Sequence, residues 1–160
     1  MVLDHGRDGE SCVSFEERNR GFRHIIRRYI RENRLSAREL EAIGAIRNRK
    51  TFFKRLERDE LTGCELDILF QKLGLDPIRA HVAIISMRDP DEYFEPLSEV
   101  ASVIAAEIAR MLLEQSHASA GNFEPVRRAI CCNVARDAVN KIMSHQERTR
   151  QYYHDEAMRV

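Results

Sequence analysis

Two short stretches of the sequence, "LSAREL" at 35–40 and "LTGCEL" at 61–66, carry the same pair of helix-start signals. In each, a Ser or Thr stands three residues before a Glu, which is the spacing of a capping box, and two flanking leucines form a hydrophobic staple. Gly44 follows the first stretch and Gly74 the second. Glycine readily takes the left-handed conformation that ends a helix. The sequence therefore predicts two short helices, with a third segment held between them.

Apolar residues at helical spacing predict the remaining elements. A first helix is expected over 19–33, and Asp76 with Pro77 supplies an N-cap and a first-turn proline for a helix over 77–87. Two longer helices are expected at about 97–116 and 123–143, and no useful strand alternation is present. The predicted fold is all-α: an N-terminal bundle of about five short helices, followed by a C-terminal helical hairpin.

The domain boundary is predicted at "RDPDEYFEP", residues 88–96, because this stretch holds two prolines and five charged residues. Residues 1–18 lack periodicity and are predicted to form a mobile tail. Residues 19–88 then form the N-terminal domain, and 89–160 form the helical hairpin. Two amphipathic helices leave an apolar face that needs cover from either the N-terminal domain or a second copy of the chain, and we predict that the hairpin forms a homodimer.

Charge is unevenly distributed along the chain, although the net charge is zero. Residues 20–58 contain thirteen Arg or Lys and four Glu, a surplus of nine positive charges that the rest of the chain must balance. Such asymmetry is typical of a nucleic-acid-binding segment, and it also occurs in proteins that bind acidic partners. The basic residues are Arg20, Arg23, Arg27, Arg28, Arg31, Arg34, Arg38, Arg47, Arg49, Lys50, Lys54, Arg55 and Arg58.

The most basic part of this segment is predicted to be a helix over 47–58. On a helical wheel, Phe52, Phe53 and Leu56 share one arc, where they would pack in the core. The opposite arc holds basic and hydrogen-bonding side chains, which a helix needs in order to read the DNA major groove. Arg49 is the one basic residue of this helix that lies outside that arc. That arc holds Arg47, Asn48, Lys50, Thr51, Lys54, Arg55 and Arg58. A tight turn at Gly44-Ala45-Ile46 would join this helix to the short one before it.

Residues 27–76, "RRYIRENRLSARELEAIGAIRNRKTFFKRLERDELTGCELDILFQKLGLD", resemble the helix-turn-helix domain of the phage-repressor and Cro type, also called xenobiotic-response-element-like. The resemblance implies a DNA-binding, repressor-like transcriptional regulator that binds double-stranded DNA through a recognition helix near 47–58. It places base-reading positions near Arg47, Asn48, Arg49, Lys50 and Thr51. It places Lys54 and Arg55 nearer the DNA backbone, and we include Arg38, on the preceding helix, in the predicted DNA-binding set.

Other classes of function have little support in the sequence. No catalytic triad order, Gly-rich phosphate loop or zinc-binding H-E-x-x-H helix is present, and the four cysteines form no C-x-x-C pair. We therefore expect no enzyme activity, no catalytic residue, no metal site and no cofactor. The absence of a leader and of a long apolar run predicts a cytoplasmic protein without membrane contact. A helical adaptor for an acidic protein and an RNA-binding protein remain alternatives.

Overall fold

A computed structural model describes residues 13–118 and 124–158 of the chain, and every regular element in these ranges is helical. The all-α prediction is therefore confirmed for the described residues. The seven α-helices are α1 (Phe15–Glu32), α2 (Ala37–Ala42), α3 (Phe52–Glu57), α4 (Gly63–Leu73), α5 (Pro77–His81), α6 (Pro96–Ala118) and α7 (Arg128–Ala157). A π-helical turn (Val82–Ser86) follows α5, and a 3-10 turn (Pro90–Phe94) precedes α6.

The chain divides into two compact units, Met1–Leu112 and Leu113–Val160. The first unit holds the main hydrophobic core, to which helices α1 to α5 and the two turns that follow all contribute. Ile25 and Ile26 from α1, Leu40 from α2 and Leu69 from α4 are fully buried at its centre. Burial of this apolar surface is the main force that holds such short helices together, because isolated helices of this length are unstable in water.

The predicted start and stop signals of the short helices are confirmed. Ser36 and Thr62 each accept a hydrogen bond from the backbone N–H of the Glu three residues later, and that Glu accepts one in return. Gly44 and Gly74 have positive φ angles of 73° and 67°, which an L side chain rarely adopts. Asp76 caps α5 by accepting hydrogen bonds from two backbone N–H groups.

The prediction that α1 begins at residue 19 is wrong, because the helix begins at Phe15. Ser14 and Glu17 form a third capping box, in which the Ser14 hydroxyl accepts from the Glu17 N–H at 3.2 Å. The Ser14 N–H donates to the Glu17 carboxylate at 2.8 Å. The predicted tail of residues 1–18 is thus helical from residue 15, and its first twelve residues lie outside the described part of the chain.

The boundary predicted at residues 88–96 falls inside the first unit. Tyr93 is buried in the core, and its hydroxyl accepts a hydrogen bond from the Asp76 N–H at 3.0 Å. Asp91 lies 2.8 Å from both His24 and Arg28 of α1, while the Arg28 guanidinium stacks on Phe94. The prolines at 90 and 96 therefore flank a packed 3-10 turn at the place where the sequence predicted a domain boundary.

The two C-terminal helices lie near their predicted places: α6 spans Pro96–Ala118, and α7 begins at Arg128, later than the predicted residue 123, and continues past residue 143 to Ala157. Their predicted arrangement as a hairpin stays a prediction. No helix in the described ranges is long and apolar enough to cross a membrane.

Candidate nucleic-acid interface

The segment that joins α2 to α3, residues 43–51, is anchored at its start and exposed at its end. Beyond α2, the Gly44 N–H donates to the Glu41 carbonyl and the Ala45 N–H to the Leu40 carbonyl, so the chain turns away through Gly44. Ala45 and Ile46 are buried. Every residue from 47 to 51 is exposed. Two apolar side chains therefore hold a short exposed loop against the core.

The predicted recognition helix over 47–58 is wrong in its extent, because α3 spans only Phe52–Glu57. The Asn48 side chain accepts a hydrogen bond from the Lys50 N–H at 3.0 Å. Such a local side-chain turn competes with helix formation. The connection between α2 and α3 is nine residues long, so the predicted tight turn at Gly44-Ala45-Ile46 is also wrong. Asn48 shapes the loop and does not cap α3.

The predicted apolar anchor of α3 is only partly correct. Phe52 and Leu56 are 4% and 3% exposed and lie in the core, as expected. Phe53 is 38% exposed, so its prediction as a core residue is wrong. Because α3 has six residues, a single i, i+4 pair faces inward, and Phe53 is turned about 100° away from it. An aromatic ring therefore lies at the surface of the basic region.

Arg55 forms a salt bridge with Glu65 of α4. Its guanidinium donates to both carboxylate oxygens of Glu65, at 2.6 and 2.8 Å, and to the Glu60 carbonyl at 3.0 Å. The hydrogen bonds that Glu65 accepts, first those from Arg55 and then those from Thr62, lower its pKa to about 2. Arg49 lies 3.0 Å from Glu41. Two of the predicted DNA-binding residues thus have acidic partners within the chain.

The other predicted residues are available. Arg38, Arg47, Lys50 and Lys54 are exposed and form no salt bridge with another described residue. Thr51 precedes α3, but its hydroxyl makes no capping hydrogen bond. We call Arg47, Lys50, Thr51 and Lys54 the free basic segment. Its cations are the side chains best placed to exchange water and counterions for a phosphate.

Helix α1 fixes the far end of α3. Arg27 donates to the backbone carbonyls of Leu56 and Glu57 in the last turn of α3, where carbonyls lack the usual helical partner four residues later. It also contacts the Asp59 carboxylate at 2.7 Å. Asp59 itself has a positive φ of 60°, so the chain reverses directly after α3. Arg27 therefore has a structural role, and it positions α3, which carries Lys54 of the free basic segment.

Two grooves in the first unit flank α3. The first, of about 570 Å³, lies between the 44–48 loop and α4 and is lined by Arg47, Phe52 and Lys72, among others. Lys72 is exposed and forms no salt bridge with a described residue, and sequence reasoning missed it. Its place beside the loop is visible only in the folded chain, where the Lys72 Cε lies 3.9 Å from the position that a Cβ on Gly44 would occupy.

The second groove, of about 470 Å³, lies between the end of α1 and α3. Arg31, Arg34 and the exposed ring of Phe53 line it. Neither arginine forms a salt bridge with another described residue. Cationic side chains therefore occur in both grooves, which widens the basic surface beyond the loop.

Within the described residues, no three His, Cys, Asp or Glu side chains converge as a metal ion would require. No protein family matches the chain, and neither a curated protein nor a solved structure is significantly similar to it.

Proposed function

We propose that the protein is a cytoplasmic, repressor-like DNA-binding transcriptional regulator that contacts double-stranded DNA through the free basic segment and the start of α3. The observation that carries the proposal is that some cations within residues 20–58 have acidic partners in the structure and others do not. Six of the thirteen cations have acidic partners: Arg23, Arg27, Arg28, Arg49, Arg55 and Arg58. Those of the free basic segment have none among the described residues: Arg47 and Lys50 lie in the exposed run 47–51, and Lys54 is exposed on α3.

The proposed mode of contact differs from that of a long reading helix. At 1.5 Å per residue, the six residues of α3 rise only about 9 Å. The exposed loop before it must therefore supply most of the contacts. Arg47 and Lys50 are suited to base edges or phosphates, the Thr51 hydroxyl to either, and Lys54 to a phosphate on the outer face of α3.

Two copies of the chain would place two such surfaces on DNA. A single surface with a few cations supplies modest affinity, whereas a dimer on two half-sites about one helical turn apart gains from both. We accordingly propose a homodimer through the C-terminal helices. The proposal gives the protein no catalytic, metal-binding or cofactor-dependent role.

The test is selection from a random duplex library with the full chain, followed by binding measurements on the selected sequence. We expect enrichment of a short motif with two related halves, and affinity that falls steeply as salt is raised. Recovery of no motif, together with no duplex binding at low salt, would contradict the proposal. Capture of one acidic protein under the same conditions would favour the adaptor alternative.

One observation favours RNA as a second candidate. The exposed Phe53 lies in a groove with Arg31 and Arg34, and an aromatic ring beside guanidinium groups can stack on unpaired bases. If the ligand is single-stranded RNA, it should outcompete duplex DNA of equal length. Phe53→Ala should then weaken RNA binding by about tenfold, since one base stack contributes roughly 1 to 3 kcal/mol.

A further inference from the structure

The first two turns of helix α6 bury two serines on one side and leave apolar residues exposed on the other. Ser98 and Ser102 are 0% and 2% exposed, whereas Leu97 and Met111 are 63% and 56% exposed. An amphipathic helix at the surface of a single domain normally shows the opposite pattern, with its apolar stripe toward the core. The orientation of α6 is therefore unexplained by the packing of its own unit.

Specific hydrogen bonds hold the serines inside. The Ser98 hydroxyl accepts from the Arg79 side chain at 2.9 Å and lies 3.0 Å from the Glu95 carbonyl. Arg79 also donates to that Glu95 carbonyl, at 2.9 Å. Turning α6 so that its leucines face the core would break the Arg79–Ser98 hydrogen bond and move Glu99, whose carboxylate lies 3.4 Å from Arg79, away from the guanidinium, which is costly. The exposed apolar face is thus fixed in place by the fold.

We call this face the α6 seam. Its side chains span about 180° of the helix at 100° per residue. They are Leu97, Val100, Val103, Ile104, Ile108, Met111 and Leu112. Between residues 97 and 112, the one charged residue within the arc is Glu107, whose carboxylate is paired with Arg110 on the same helix at 2.7 Å. A contiguous apolar face of this kind on a water-soluble surface marks an interaction site.

Apolar residues recur along the seam at a spacing that allows a second copy of the same helix to pack against it. Leu97, Ala101, Ile104, Ile108 and Met111 alternate steps of four and three residues, an average period of 3.5. This period allows two equal helices to pack side by side along their length. Because Glu107 is already paired, a second copy would meet no uncompensated charge, and the core of homodimer interfaces is similarly poor in charge.

We infer that the α6 seam binds the α6 seam of a second copy of this chain, in a two-fold symmetric interface. The same patch then serves both subunits, as in an isologous dimer. The choice of a second copy over a foreign partner rests in part on the proposed function, because two half-sites require two DNA-contacting surfaces. The inference assigns the dimer contact to α6 and does not require α7.

The test is the solution mass of the full chain, measured by sedimentation equilibrium over a range of concentrations. The wild-type protein should have twice the chain mass of 18.6 kDa. Ile108→Glu combined with Met111→Glu places two carboxylates in the seam and should return the mass to that of one chain. The matched control is Ile78→Glu with Ile85→Glu, two equally exposed apolar residues outside α6, which should remain dimeric.

A wild-type protein that is monomeric at every concentration would overturn the inference, as would a seam variant that stays dimeric. If the double-Glu variant loses helical circular dichroism, Val103→Thr with Met111→Gln replaces it, and its dimer dissociation constant should rise at least about tenfold. An unchanged dissociation constant for this second variant would also overturn the inference.

Binding to a single half-site is measured separately. A dimer without DNA affinity contradicts the DNA-binding proposal alone. A DNA-binding wild-type monomer contradicts the homodimer, including its assignment to α6, and leaves the DNA-binding proposal standing.

Discussion

Helix α1 and the free basic segment are both rich in positive charge, yet three arginines of α1 have acidic partners and the cations of the segment have none among the described residues. In α1, Arg27 is bonded to backbone carbonyls and Asp59, and Arg28 is bonded to Glu32 and Asp91. In the free basic segment, Lys50 and Lys54 contact no acidic group among the described residues. A high local density of arginine therefore does not identify a ligand-binding surface by itself. The absence of an internal partner is the more informative property.

The largest expected effect comes from removing the free cations. Arg47, Lys50 and Lys54 changed together to Ala should weaken binding to the selected duplex by about a hundredfold or more, because three direct contacts are lost. The thermal midpoint should change little, since none of the three forms a salt bridge with a described residue. Fluorescence anisotropy and thermal unfolding measure the two effects.

The control removes the same charge from the other unit, by Arg127→Ala, Arg128→Ala and Lys141→Ala. These residues are exposed and also lack salt bridges within the described chain. Equal losses of affinity in both triple variants would show that binding follows total charge and not the free basic segment.

The second prediction concerns an arginine of α1 that has an acidic partner. Arg27→Met keeps the aliphatic stem but removes the bonds to the α3 carbonyls and Asp59, and should lower the free energy of unfolding by about 2 kcal/mol. Arg31→Met, on the same helix, removes a cation without a salt bridge and should lower it by less than about 0.5 kcal/mol. Urea unfolding distinguishes them, and equal effects would refute the structural role of Arg27.

The third prediction tests the Arg55–Glu65 pair through pH. The pKa of Glu65 falls from its ordinary value of 4.5 to about 2 in the folded chain. The stabilisation is therefore fully present above pH 4.5 and is lost as the pH falls toward 2. Glu65→Gln keeps a residue that suits the capping box but removes the charge, and should cost about 1 kcal/mol at neutral pH.

Urea midpoints measured across this pH range provide the check. Wild type and Glu65→Gln should converge as the pH falls. A difference that stays constant down to pH 2 would mean that the pair does not stabilise the fold through its charge. The pair's side chains are about one-third exposed, so screening by solvent keeps the expected effect small.

The smallest predicted effect converts a partnered cation into a free one. Glu41→Gln removes the partner of Arg49. Arg49 should then add one contact, and DNA affinity should rise about two- to threefold at low salt. Glu57→Gln removes an exposed acid that forms no salt bridge within the described residues, so it controls for net charge. Equal gains in both variants would show that release of Arg49 does not matter.

The short-range signals in the sequence predict the fold's framework well. The capping boxes at Ser36 and Thr62, together with Gly44 and Gly74, are local features, so a linear sequence contains what they need. The same reasoning, applied to Ser14 and Glu17, would have located the start of α1. The helix over 47–58 was wrong because the Asn48 side-chain turn competes with it, and helical periodicity does not detect that competition.

Pairing across the fold could not be predicted. Glu65 is ten residues from Arg55, and Asp91 is 63 residues from Arg28. Only the folded chain brings them together, so the sequence predicts a uniform basic surface where the structure has bound and free cations. The buried serines of α6 are similar, because Arg79 determines which face of that helix turns inward.

The most direct test of the central claim is the salt dependence of duplex binding by the wild type and by the variant with Arg47, Lys50 and Lys54 changed to Ala. Each phosphate contact contributes about 0.9 to the slope of log K against log salt concentration. The account predicts that the slope of the variant is shallower by about 2 to 3. An identical slope in the two proteins would show that these three side chains do not contact the phosphates, and the assignment of the free basic segment would be wrong.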